Sequence, residues 1–184
     1  MAFPRSGEAA VLLVSHALEL GARPFVLGNG TNVLFPDEGV DRLVICTRDM
    51  AGVAAGAVAG EITAECGASL AKIAVFAQKA GLSGLEFAHG IPGSLGGAVC
   101  MNAGAYGGEI KDCIVSAKVL TKEGERVVLK KEDLQLSYRN SVILQRGYLV
   151  LEATFSFEKG NPAEIQEEIK ELNKRRREKQ PLEY

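Results

Sequence analysis

Histidine and cysteine are both scarce in this chain, and each scarcity excludes something. Only His16 and His89 occur, far apart in sequence. A first-row metal wants a cluster of ligands, so no metal site is expected. The four cysteines, Cys46, Cys66, Cys100 and Cys113, include no C-x-x-C pair, and each sits among apolar or small residues. They read as reduced, half-buried thiols of a cytoplasmic protein, not as a disulfide frame or a zinc site. The net charge of −2 lacks the basic footprint of a general nucleic-acid binder, so no nucleic-acid partner is expected. No apolar run reaches the ~20 residues a membrane-spanning helix needs. The first 23 residues show no basic start, long apolar core and small-residue cleavage site of a secretory leader. What remains is a soluble, cytoplasmic protein of 184 residues, 47% apolar, enough for one large domain or two small lobes.

Glycine, by contrast, is concentrated. The stretch 84–108, GLEFAHGIPGSLGGAVCMNAGAYGG, holds eight glycines in 25 residues, where average composition supplies about two. Glycine this dense, without the polar filler of a linker, marks backbone at positive φ or in close approach to something. Gly90-Ile91-Pro92-Gly93 is a stiffened turn. Ser94 then caps a short expected helix through residues 95–101, which exits at Asn102-Ala103-Gly104. A helix N-terminus fronted by glycines suits an anion, because unpaired N–H groups and the positive dipole end point outward. A phosphate-bearing cofactor against this stretch is one reading; tight helix–sheet packing is the other.

Along the chain, residues 6–20 read as an amphipathic helix capped by Ser6, with Ala10, Leu13, Val14, Ala17 and Leu18 in one stripe and Gly21 as the stop. Residues 24–27 form a short buried strand that feeds Gly28-Asn29-Gly30-Thr31-Asn32. A Rossmann reading of that loop fails, since the third glycine is missing and Val33-Leu34-Phe35-Pro36 is extended and then broken. A backbone nest binding pyrophosphate remains open, as does a plain Asn-Gly turn. Residues 42–47 and 61–66 read as strands, with a weakly patterned segment between them. Residues 68–80 read as a helix capped by Ser69. Beyond the glycine stretch the pattern alternates: Val115, Ala117 and Val119 share a face, and Leu149, Leu151, Ala153, Phe155 and Phe157 share another, as in antiparallel sheet with one wet face. Asn161, Pro162 and Glu164 open a final helix, 162–179, on which Ile165, Ile169 and Leu172 form a narrow apolar stripe. Arg175, Arg176 and Arg177 complement its dipole on a solvated face, with Glu171 pairing Arg175 and Pro181 beyond.

Three motifs carry a resemblance that covers nearly the whole chain. The run GIPGSLGGAVCMNAGAYGG resembles the signature of the flavin-dependent UDP-N-acetylenolpyruvoylglucosamine reductases (UDP-N-acetylmuramate dehydrogenases) of bacterial peptidoglycan synthesis. Residues 28–34 resemble that family's G-x-G-[ST]-N-[LV]-L run, and Tyr138-Arg139-x-Ser141 its Y-R-x-S motif. The resemblance implies a two-lobed α+β FAD-binding fold of the PCMH or vanillyl-alcohol-oxidase-like type. Its division here would be an α/β lobe at 1–66, incomplete at its start, and a second lobe at 67–184 with antiparallel sheet and C-terminal helix. It further implies noncovalent FAD held by Gly28, Asn29, Gly30, Thr31, Asn32, Val33 and Leu34, and by Gly90, Ile91, Pro92, Gly93, Ser94, Gly96, Gly97, Asn102, Ala103, Gly104, Ala105 and Tyr106. NADPH would supply the hydride, and a UDP-sugar enolpyruvyl ether would receive it. Arg139 would steady the substrate carboxylate, and Tyr138 would shape that pocket.

The family's proton-donating serine and a second acid, a glutamate, lie in a C-terminal substrate domain. The segment 177–184 resembles the lead-in to it, and the opening lacks the family's usual first strand and G-G element. The expectation is therefore a FAD-binding portion without complete turnover of its own. The alternatives are a non-catalytic FAD-binding module, or the cofactor domain of another flavin oxidoreductase.

Overall fold

The computed structural model describes residues 1–180. Pro181, the expected stop signal of the last helix, and the second half of the segment 177–184 lie outside the described residues.

Ser6 opens α1 (Gly7–Glu19): its hydroxyl accepts from the Ala9 N–H at 3.2 Å, and Ala10, Val14 and Ala17 are buried on the inner face. β1 (Phe25–Leu27) and β2 (Val44–Cys46) pair in parallel. Ala2 adds a parallel bridge on the far side of β2, donating to Val44 O and accepting from Cys46 N, each at 2.8 Å. β3 (Val53–Ala55) comes from the weakly patterned segment and lies half-exposed beside β4 (Glu61–Glu65). Ser69 caps α2 (Leu70–Lys79), accepting from Lys72 N at 3.2 Å, and Leu70, Ile73, Ala74 and Ala77 face inward as their spacing predicts.

The glycine-rich stretch contributes β5 (Leu82–Ser83), a 3₁₀ turn at Glu86–Ala88, α3 (Leu95–Cys100), and a miniature hairpin of β6 (Gly104–Ala105) and β7 (Gly108–Glu109). α4 (Ile110–Cys113) leads into β8 (Ile114–Leu120) and β9 (Arg126–Lys130). α5 (Val142–Arg146), β10 (Leu149–Ser156), β11 (Glu158–Lys159) and α6 (Pro162–Lys179) complete the fold.

β3, β4, β10, β8 and β9, in that order, make one antiparallel sheet. β4 pairs with β10 from Glu61 opposite Ser156 to Glu65 opposite Glu152. A division at residue 66 therefore passes through this sheet. The architecture is α+β: a small parallel pair beside α1, and the larger antiparallel sheet, with Ile62, Ala64, Ala117, Val119, Ala153 and Phe155 in the core.

Two details depart from simple alternation. Val115 was expected on the inner face with Ala117, but it is 37% exposed. The pairing of β8 with β10 slips here: Ser116 lies opposite Thr154 and Ile114 opposite Phe155, leaving Val115 as the extra residue of a bulge. Val150 was expected on a wet face, yet it is buried together with Leu149 and Leu151. The reason is α3, which packs across that end of the sheet: a Cβ on Gly96 would lie 3.7 Å from that of Val150.

Candidate functional site

β1 delivers the chain into the loop 28–34, and β2 holds the loop's root. Thr47 Oγ1 donates to Leu27 O at 3.4 Å, and Cys46 Sγ to Gly28 O at 3.7 Å. The tip of the loop reaches the second glycine segment, 61 residues on, where Thr31 Oγ1 donates to Pro92 O at 3.3 Å. The approach leaves no room for side chains. A Cβ on Gly28 would stand 2.3 Å from Ser94 Oγ, and one on Gly93 3.1 Å from Thr31 Oγ1.

Among the described residues, the N–H groups of Gly28, Asn29, Gly30, Thr31 and Asn32 donate to no protein acceptor, and Ser94 sits at an N-cap without capping. Backbone N–H groups left unpaired beside a gap that only glycine permits form a nest for an anion. The residues present therefore fit a diphosphate.

The leading N–H groups of α3 are taken up by protein: Leu95 N donates to Ala68 O at 2.8 Å and Gly96 N to Cys66 O at 2.7 Å. Gly96 is a packing glycine, since a Cβ there would lie 3.1 Å from Cys66 Cβ and 3.3 Å from Cys66 O. The first two N–H groups of the short helix are thus tied to the preceding backbone, while among the described residues Gly97 N, the next one, donates to no protein acceptor.

A cavity of about 520 Å³ opens beside this junction, within the ~300–1,000 Å³ usual for ligand sites. Gly28, Gly96, Gly97 and Cys66 line it on one side, and Val14, Phe25, Ile143, Leu144 and Val150 on others. Arg23, Arg42 and Lys122 also line it, and among the described residues no aspartate or glutamate does. Arg42 is held in place, donating to Arg23 O through Nη2 at 2.7 Å and Nε at 3.2 Å, with its guanidinium 6.0 Å from the Phe25 ring centre. Apolar walls with cations and no carboxylate suit a large, partly apolar anion.

Two buried thiols bear on stability. Burial pushes Cys66, on the cavity wall, and Cys113 up from 9.0 to about 12 each. Burial also raises Cys100, another wall residue. The folded state keeps these protons when the unfolded chain has lost them. Stability is therefore unaffected below pH ~8.5 and falls as pH rises toward about 12. Denaturant unfolding between pH 8 and 10.5 should show a loss approaching ~1.4 kcal/mol per pH unit for each thiol. The Cys66→Ala and Cys113→Ala variants should each flatten it; an unchanged slope would refute the burial argument.

Other expected site residues are brought elsewhere. Gly90 lies under α6: a Cβ there would stand 2.7 Å from Asn173 Oδ1 and 2.8 Å from Arg176 Nε. Asn173 Nδ2 lies 2.9 Å from His89 Nδ1, and the Arg176 guanidinium sits 5.7 Å from the Tyr106 ring centre. Arg176 thus belongs to the packing face of α6, not to a solvated run. The spacing 165, 169, 172, 176 carries that signal, masked by the neighbouring arginines. Glu171 and Arg175 do pair, at 2.8 Å.

Ala103 is tied by backbone bonds to Ala98 and Ile110. Gly104, Ala105 and Tyr106 belong to the hairpin, with Tyr106 at φ 55° and Gly107 at φ 91° in its turn. Ile91 packs against the core, and Leu34 is 97% exposed. Tyr138 (87% exposed) and Arg139 (φ 52°) form the tip of an exposed turn closed by Ser137 and Asn140. Neither lines the cavity. Sequence reasoning passed over Gly67, which nothing in its neighbourhood distinguishes from an ordinary turn glycine. In the fold a Cβ there would meet Thr47 O at 2.0 Å. Among the described residues, no group of three or more His, Cys, Asp or Glu is gathered for a metal, and no helix is long and apolar enough to cross a membrane.

Comparison with known proteins places the chain in a family. The profile of the FAD binding domain family matches residues 1–130. A UDP-N-acetylenolpyruvoylglucosamine reductase of Clostridium novyi is 48% identical over 181 residues, covering 98% of this chain and 58% of that protein. One of Lactobacillus acidophilus is 42% identical over 184 residues, covering 100% of this chain and 61% of that protein. The chain thus spans about three-fifths of the length of these relatives. Among solved structures, UDP-N-acetylenolpyruvylglucosamine reductase from Thermus caldophilus superposes with a TM-score of 0.81 at 32% identity, over 97% of this chain and 62% of that one. Alkyldihydroxyacetonephosphate synthase, at 19% identity and a TM-score of 0.64 over 85% of this chain and 31% of that one, shares the fold alone. With a profile match over residues 1–130 of its 184, the chain belongs to the family of FAD-binding domains.

Proposed function

We propose that this chain is the FAD-holding portion of an NADPH-dependent reductase that converts UDP-N-acetylglucosamine enolpyruvate to UDP-N-acetylmuramate, in the cytoplasm, for peptidoglycan synthesis and hence cell-wall growth, shape and division. The observation that carries the reading is the close meeting of the 28–32 loop with Gly93 and Ser94, beside loop N–H groups that, among the described residues, have no protein acceptor. The names of the similar proteins support a reductase acting on UDP-N-acetylenolpyruvoylglucosamine.

In this reading the N–H groups of residues 28–32 and the Ser94 hydroxyl hold the diphosphate noncovalently, and the apolar cavity wall excludes water from what lies beside it. Bound FAD supplies a two-electron carrier between NADPH and the enolpyruvyl double bond. Arg139 pairs with the substrate carboxylate and stabilises the negative charge that builds there, and Tyr138 shapes the same pocket. Neither nearby serine is assigned the proton: Ser94 is occupied at the diphosphate, and Ser141 is buried with its hydroxyl bonded at both donor and acceptor sides.

The two half-reactions separate these roles. In a complete reductase containing this segment, Arg139→Ala should leave flavin reduction by NADPH within about twofold. It should slow reduction of the enolpyruvyl substrate by about 100-fold, the scale of one lost charge-assisted contact in the transition state. Equal damage to both half-reactions would remove Arg139 from the role.

A further inference from the structure

The turn that carries Tyr138 and Arg139 is fastened at both ends to the exit of α3. On its leading side, Asn102 Nδ2 donates to Ser137 O at 3.3 Å. On its trailing side, Ser141 Oγ donates to Cys100 O at 2.7 Å. Both anchors are buried, Asn102 at 4% exposure and Ser141 at 0%.

Both side chains have their donor hydrogens committed to protein acceptors. The Asn102 amide also donates to Glu109 Oε2 at 2.6 Å and accepts from Lys111 N at 2.9 Å. Glu109 is itself paired with Lys111 Nζ at 2.9 Å, which together with Asn102 holds its carboxyl below the usual range. Ser141 accepts from Leu144 N at 3.2 Å, capping α5 while it donates to α3. Asn102 sits at φ 45°, a conformation asparagine tolerates better than most residues, so the backbone there is shaped to aim this amide. Between the anchors, Ser137 and Asn140 exchange backbone bonds of 3.1 Å each way.

We infer that Asn102 and Ser141 are positioning residues: they clip the Tyr138–Arg139 turn to the end of α3, so that the arginine is referenced to the same glycine segment that meets the 28–32 loop. In this reading Asn102 acts on the site through geometry. The clip matters because a guanidinium that recognises a carboxylate by two parallel bonds tolerates little misplacement. Its catalytic meaning rests on the role proposed for Arg139; the clip itself does not.

Backbone ¹⁵N relaxation of the full chain tests the clip without reference to activity. The amides of Tyr138, Arg139 and Asn140 should have order parameters near ~0.85 in the unmodified protein and below ~0.6 in Asn102→Gly and Ser141→Ala. Glycine suits the positive φ, so Asn102→Gly removes the amide without adding strain. If either variant fails to fold, the other decides. Ile62→Val, in the core of the large sheet, lowers stability without touching the clip and should leave the turn at its original order. Three results would each overturn the inference: a turn already below ~0.6 in the unmodified chain, folded variants that keep ~0.85, or an equal loss of order in Ile62→Val. Loss of order in both anchor variants with substrate reduction unchanged in the complete reductase would leave the clip standing and count against Arg139 instead.

Discussion

Gly28→Val is expected to weaken FAD binding by about 100-fold while leaving the apo fold standing. Gly28 is not in the left-handed region, so valine has an acceptable backbone there. The obstacle is space: the first added carbon would stand 2.3 Å from Ser94 Oγ and 3.6 Å from Ser94 Cβ. The loop must recoil, which carries the N–H groups of residues 28–32 away from the positions in which they would hold the diphosphate. Each charge-assisted bond lost is worth roughly 1.5–3 kcal/mol, and about 2.7 kcal/mol is a factor of 100 in dissociation constant. Flavin fluorescence titration reads the loss. Gly28→Ala, a milder intrusion against the same Ser94 Oγ, should weaken binding less than Gly28→Val does. Unchanged affinity in Gly28→Val would mean that the diphosphate lies elsewhere.

The second large effect is on folding. Gly67→Ala should destabilise the protein by about 3 kcal/mol or more. An added Cβ would meet Thr47 O at 2.0 Å, Met50 O at 2.8 Å and Thr47 C at 2.9 Å. All three are backbone atoms, so no side chain can swing aside. The segment cannot slide either, because Gly67 N donates to Met50 O at 2.8 Å and Cys66 N to Leu151 O at 3.0 Å. For a chain of this size that loss lowers the thermal midpoint by roughly 6–12 °C. A shift under ~2 °C would show that the 47–50 segment yields more easily than its bonding suggests. Thr47 and Cys66 line the cavity, so FAD capacity should fall with stability.

Much of this fold is legible from local chemistry. Ser6, Ser69 and Asn161 cap the helices they precede, and the apolar spacing of α1, α2 and α6 names their buried faces. What escapes local reading is tertiary. Val115 turns outward because two strands slip by a residue, and Val150 turns inward because α3 covers the sheet there. The glycine-rich stretch is the instructive case, because one compositional signal serves three physical needs. Gly93 gives room at the loop junction, Gly90 and Gly96 let α6 and Cys66 approach, and Gly107 supplies the positive φ of a hairpin turn. Composition cannot separate these uses, since each requires only the absence of a side chain. Asn102 was likewise readable as a helix exit, but not as an anchor for a turn 35 residues later.

The most direct test of the central claim is to titrate the purified chain with FAD and follow its visible absorbance. The account predicts saturable uptake of one equivalent with a displaced flavin band, and loss of that uptake in Gly28→Val. A chain that folds, as judged by circular dichroism, yet takes up no FAD at any accessible concentration would contradict it.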